Sequence, residues 1–273
     1  MMSASLLHFI IALLYLLLAA REWLAGRLGA EGVRPPRYWL VQGGIPVTLV
    51  LHALVLHQVL FVEGQLDLSL GHTLSLLGAV TVATYWLLSL RHPLGVLRPL
   101  VLMLAVVLTL APLVLTGDKP VNYSNFPAFR IHLVVSLTAW SLFAISALHA
   151  VLMSVMERRL HQHHFSRIGR WPSLVSMDAM LFRMLWVAFL LLSATLLSGM
   201  FFSEELFGKP LVLNHKLVFS VLAWVIYAGM LLGHRLWGLR GRQAARWALA
   251  GFFMLLVAYV GSKFVLEILL HRG

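Results

Sequence analysis

The chain has 273 residues, 60% of them hydrophobic and 11% charged, with 21 basic against 10 acidic residues and a formal net charge of +11. A soluble domain carries roughly twice that share of charge, so an ordinary soluble surface is excluded. Cysteine is absent, which excludes disulfides, thiolate metal sites and the Cys-x-x-Cys-His attachment of covalent haem.

From Leu6 onward the N-terminus is apolar, with no basic stretch before it and no small-residue cleavage site after it. This pattern predicts a retained first helix rather than a signal peptide. Apolar runs of about 20 residues, long enough to cross the hydrocarbon of a bilayer, predict spans at 4–24, 38–61, 71–90, 95–115, 130–156, 177–201, 213–236 and 244–269. The runs are uninterrupted rather than alternating, and in lipid only helices or closed barrels satisfy the backbone. The expectation is an all-α, polytopic membrane helix bundle of about eight transmembrane helices, forming one integral membrane domain over 1–273.

Basic residues set the orientation. The loops after the first, third, fifth and seventh spans hold Arg21, Arg27, Arg34 and Arg37, then Arg91 and Arg98, then Arg158, Arg159, Arg167 and Arg170, then Arg235, Arg240, Arg242 and Arg246. The opposite side holds Lys119, Arg130, Lys209, Lys216, Lys263 and Arg272, balanced by carboxylates such as Glu63, Asp67, Asp118, Glu204, Glu205 and Glu267. Because cytoplasmic loops are enriched in Lys and Arg, the Arg-rich side is read as cytoplasmic and both termini as outside. A basic rim beside anionic headgroups accounts for the net charge without a nucleic-acid partner. The loops are too short for a separate domain, so function belongs to the bundle and its rims. The stretch from Thr116 to Arg130, with Pro120, Pro127 and Asn122-Tyr123-Ser124-Asn125, reads as an ordered turn at the outer surface.

Thirteen histidines stand against ten carboxylates, and the predicted topology sorts them into layers. His8, His57, His72, His132, His215 and His271 fall near the outer boundary, with His52 deeper; His92, His149, His161, His163, His164 and His234 fall near the inner one. A histidine at a helix end is commonly an amphipathic interfacial residue, so the layering weighs more than any single member. Neutral imidazoles on facing helices can ligate a transition metal or the iron of haem, and haem suits a site with apolar walls and few carboxylates. A divalent-cation transporter would place Asp or Glu within its spans. Here the clearest intramembrane ionisable residues are Asp178 and Arg183, read as orientation and local pairing. Trp140 and Trp224 lie within their spans and read as core packing, with a porphyrin flank as the other use. Ser136, Ala139, Ser193, Ser198 and Gly199 read as small residues that allow close helix contact. Glu157 and His161, four apart with His163 and His164 following, read as a solvated helix end rather than a surface metal site. Phosphate-binding glycine loops, nucleophile elbows and His-Glu-x-x-His helices are missing from the sequence, so no residue is assigned a catalytic role.

The stretch Ile131-His132-Leu133-Val134-Val135-Ser136-Leu137-Thr138-Ala139-Trp140 resembles the His-led helix of the cytochrome c assembly family, the CcsA- and CcmC-like haem-handling membrane proteins, most closely its HemX- and YpjD-type branch. The same order continues in His215-Lys216, Ser220-Val221-Leu222-Ala223-Trp224-Val225-Ile226-Tyr227, Gly233-His234, Gly238-Leu239-Arg240-Gly241-Arg242 and Ala258-Tyr259-Val260-Gly261-Ser262-Lys263. Upstream, Leu51-His52-Ala53-Leu54 resembles the branch's early intramembrane histidine, and Leu74-Ser75-Leu76 its third helix. The resemblance runs from about residue 50 to 265.

What the resemblance implies is an eight-helix bundle of the bacterial cytoplasmic (inner) membrane that binds haem b. An outer-face histidine ligand corresponds to His132. A second outer-face ligand corresponds to His271, one residue out of the family's register, or to His215. An intramembrane pair corresponds to His52 and His234. Its implied partners are membrane lipids, haem and other haem-pathway or cytochrome maturation membrane proteins. The family's tryptophan-rich outer loop, through which its members present haem, has no counterpart, since 201–214 contains no tryptophan. The reading is therefore an accessory or regulatory role in haem handling rather than a catalytic one. Its rivals are a transmembrane b-type electron carrier and a cofactor-free membrane scaffold.

Overall fold

The computed structural model describes residues 4–27, 38–62, 65–115, 120–121, 126–161, 172–207 and 215–261. Long apolar runs without helix breakers form the helices α1 (Ala4–Arg27), α2 (Tyr38–Leu60), α3 (Leu70–Ser89), α4 (Arg98–Thr109), α5 (Ala111–Val114), α6 (Pro127–His161), α7 (Leu174–Phe207), α8 (His215–Trp237) and α9 (Gly241–Leu256). Seven segments among the described residues are long and apolar enough to cross a membrane: Ala4–Leu24, Gly43–Leu60, Leu70–Ser89, Gly95–Val114, Pro127–Leu160, Leu174–Met200 and His215–Trp237. The eighth predicted span starts as α9 and continues into one π turn, Val257–Gly261; its remainder lies outside the described residues.

Contacts gather the chain into two compact units, Met1–Asn125 with Arg272–Gly273 and Phe126–His271. In the first unit, α1 packs on α2 and α4, and α3 packs on α2, α4 and α5. The fourth predicted span is not one helix. A 3-10 turn at Gly95–Leu97 leads into α4, and Leu110 separates α4 from the short α5. Pro112 explains the break, because it has no N–H to donate and its ring crowds the preceding turn. Arg98 opens α4 buried, and its Nη1 lies 3.1 Å from the Glu22 carboxylate near the end of α1. One of the arginines read as rim charge is thus an internal ion pair.

A small antiparallel sheet closes the other end of this unit: β1 (Phe61–Val62), β2 (Gln65–Asp67) and β3 (Pro120–Val121). Phe61 faces Leu66, and Leu66 faces Val121. The sequence reading had only a turn over 116–130. Instead Pro120 sits in an edge strand, where a missing N–H costs nothing, and Pro127 begins α6, where an N–H is dispensable.

In the second unit α6 packs along α7 and α9, and α8 on α7 and α9. The α8–α9 turn passes through Gly238 and Gly241, both at positive φ (65° and 57°) that glycine adopts without strain. The helices meet closely at Gly251. A Cβ there would come within 2.6 Å of the Tyr227 ring, whose hydroxyl donates to the Ala248 carbonyl at 3.1 Å. Tyr227 also stacks on Phe143 of α6 with centroids 4.2 Å apart.

Candidate functional site

The described histidines fall into different chemical situations, and the hydrogen bonds at each ring separate them. In the first unit His52 of α2 is fully buried. Its Nδ1 meets the Tyr15 hydroxyl of α1 at 3.2 Å and its Nε2 meets Ser75 Oγ of α3 at 3.0 Å. A neutral imidazole has one donor and one acceptor nitrogen, so one hydroxyl accepts and the other donates, and both nitrogens are engaged. His52 therefore ties three helices together.

Closer to the sheet lies a second polar group. Asp67 leaves β2 and accepts from the Ser69 amide at 2.9 Å, an Asx turn that starts α3. Its other oxygen accepts from His72 Nδ1 at 2.8 Å. His72 stands 6.4 Å, centroid to centroid, from the buried ring of His8 on α1. His57 is exposed and tilts against Phe61.

In the second unit His132 sits one turn into α6, half-buried against the far end of α7. Its Nδ1 lies 2.7 Å from Ser198 Oγ, and Ser198 in turn donates to the Thr195 carbonyl at 3.2 Å. With the serine proton committed to a carbonyl, Ser198 Oγ accepts from His132. This places the ring proton on Nδ1 and the lone pair on Nε2, the tautomer a metal-binding histidine needs, with its other nitrogen held by an outer group. Gly199 follows beside the imidazole: a Cβ there would stand 3.5 Å from its Cε1.

The same face of α6 carries Trp140, two turns on. Its ring meets Phe252 of α9 and Tyr259 of the π turn at 5.9 and 5.8 Å. The Lys216 ammonium lies 5.4 Å from the Tyr259 ring centre. Trp224 donates to Ser193 Oγ at 2.8 Å and packs on Phe189, as core packing predicts. The walls near this end of the unit are thus aromatic and apolar with a single oriented imidazole, a donor set that suits haem iron.

His215 is exposed at the first residue of α8 and makes no hydrogen bond with a described residue; His271 lies outside the described residues. His234, at the opposite end of the unit, stacks on Phe182 at 3.5 Å and donates Nδ1–H to the Leu239 carbonyl at 2.8 Å, which fastens the α8–α9 turn. His149 donates Nε2–H to the Met177 carbonyl at 2.8 Å. Asp178 does not pair with Arg183. Five residues apart on a helix, the two project about 140° from each other; Arg183 is exposed, and Asp178 accepts from the Gly241 amide at 2.9 Å. The Glu157–His161 pair cannot be followed, because the His161 side chain, with His163 and His164, lies outside the described residues.

The sequence reading missed Ser198, Tyr15 and Ser75 as partners of histidines. A hydroxyl in an apolar helix reads as a packing residue, and only the fold shows which ring it meets. The chain matches the model of the Cytochrome C assembly protein family over residues 45–270. It is 26% identical over 225 residues to Inner membrane protein YpjD of Escherichia coli (strain K12), covering 82% of this chain and 85% of that protein. Over 85 residues it is 32% identical to Cytochrome c biogenesis protein CcsA of Prochlorococcus marinus (strain NATL1A), covering 31% of this chain and 27% of CcsA. A match over most of its length, together with its membrane-crossing helices, shows that this multi-pass membrane protein belongs to the cytochrome c assembly protein family.

Proposed function

We propose that the protein binds haem b at the His132 end of its second unit, in the bacterial cytoplasmic (inner) membrane, and serves haem handling in cytochrome c biogenesis as an accessory or regulatory component rather than an enzyme. The observation that carries this reading is the hydrogen-bonded series from His132 Nδ1 through Ser198 Oγ to the Thr195 carbonyl, which leaves the lone pair on Nε2. His132 would supply one axial ligand, and His271 or His215 the other. When bound, the haem contributes a redox-active iron; the chain's own part is to orient His132 and to wall the site with aromatic side chains.

The test is the haem content of the full-length protein, purified from cells supplied with haem. One haem per chain is expected, falling at least tenfold in His132→Ala. An unchanged spectrum and stoichiometry in His132→Ala removes the residue from the site, and a wild-type protein without haem overturns the reading in favour of a scaffold. Two haems of different potential would favour the electron carrier instead.

A further inference from the structure

His8 is 1% exposed, donates Nδ1–H to the Ala4 carbonyl at 2.9 Å, and keeps a buried Nε2 with no hydrogen-bond partner. A buried acceptor left unpaired costs about 1–3 kcal/mol, so it calls for a reason. Its ring neighbour His72 has its Nδ1 tied back to the buried Asp67 carboxylate at 2.8 Å and to Ser69 Oγ at 3.1 Å, which directs its Nε2 away from them. Both rings therefore carry the proton on Nδ1, anchored to an oxygen, and the lone pair on Nε2. That is the arrangement in which metal-binding histidines are found, each with its second nitrogen held by a carboxylate or carbonyl. Two imidazoles bonded to opposite sides of one ion, at about 2 Å per bond, stand with centroids roughly 6 Å apart; these stand at 6.4 Å.

The donor count selects the ion. Asp67 is committed to His72 and to the Ser69 amide, and among the described residues no group of three or more metal-binding side chains exists. Zinc prefers four ligands, and a dication with two would be expensive to bury. A monovalent soft ion that accepts two nitrogen donors fits, and the Asp67 carboxylate behind His72 offsets its charge. A porphyrin does not fit, because Ile11, Ala12 and Tyr15, on the same stretch of α1 as His8, are all 3% exposed or less. We propose that His8 and His72 form a two-histidine copper(I) site in the first unit, separate from the His132 end of the second.

The experiment uses the full-length protein in lipid nanodiscs, with copper(I) supplied under reductant against the competing chelator bathocuproine disulfonate. Wild-type protein is expected to hold one copper(I) per chain, with two nitrogen scatterers in the X-ray absorption spectrum, and His132→Ala to hold it equally well. His8→Gln and His72→Gln, recovered monodisperse, are expected to weaken copper at least tenfold. His8→Met, which keeps a soft donor, is expected to restore most of the affinity. The proposal is overturned by a wild-type protein without stoichiometric copper, by Gln variants that bind as wild type, or by a loss in His8→Gln that His8→Met does not restore.

Discussion

His52 and His132 come from the same kind of sequence, a lone imidazole in an apolar helix, and the two units put them to different uses. In the first unit His52 has a hydroxyl on each nitrogen, from Tyr15 and Ser75, with all three side chains fully buried. In the second, His132 is half-buried, and the printed hydrogen bond to Ser198 fixes the proton on Nδ1. Saturation on both nitrogens makes a joint; orientation through one nitrogen makes a ligand. The number of oxygens aimed at a ring therefore says more about its role than its depth in the bundle does.

The sharpest way to break this contrast is to delete each imidazole in turn. His132→Ala is expected to remove haem with little change in thermal stability. His52→Ala is expected to leave the haem-to-protein ratio within twofold while costing about 2–4 kcal/mol, from the cavity and two stranded hydroxyls. Denaturation of the detergent-solubilised protein alongside its pyridine haemochrome reads both quantities. Haem loss in His52→Ala without loss of stability would move the site into the first unit.

A smaller effect separates the serines. Ser198→Ala frees the His132 ring to rotate and change tautomer, and is expected to weaken haem about tenfold, as loss of an outer hydrogen bond to a ligating histidine does. Ser75→Ala leaves His52 Nε2 buried and unpaired, so its expected cost is about 1–3 kcal/mol of stability with haem retained. Competition for haem by apomyoglobin measures the first, and a thermal melt the second. The smallest effect belongs to His215, which is exposed and without a hydrogen bond among the described residues. His215→Ala is expected to leave haem content and the Soret band nearly intact, whereas truncation after Leu270 shifts the band. The reverse pattern assigns the second axial position to His215.

Much of the fold was legible because hydrophobic runs of membrane-crossing length have few alternatives in lipid. Seven of the predicted spans reappear as segments long and apolar enough to cross. The layering of His8 with His72 could also be read, since helix rise alone sets depth. What could not be read were the partners. Tyr15 lies 37 residues from His52, and Ser198 lies 66 from His132, so nothing local in the sequence links either hydroxyl to its ring. Asp67 read as an outer-loop charge because the strand that delivers it to α3 spans only Gln65–Asp67, too short for a periodic signal. Asp178 misled for another reason: proximity in sequence suggested Arg183, but helical spacing put the two on different faces.

The π turn at Val257–Gly261 bears on how relatives of this chain should be compared. A π turn takes up one residue more than an α-helical turn, so it works as a length of slack wound into the helix. Two homologues can share every residue of this segment and still bring different side chains to the same height, if only one of them keeps the extra winding. Counting straight through it comes out one position wrong, the same offset that separates His271 from the family's ligand position. Deleting a single residue within the turn would take up the slack and swing whatever follows by about 100° around the axis.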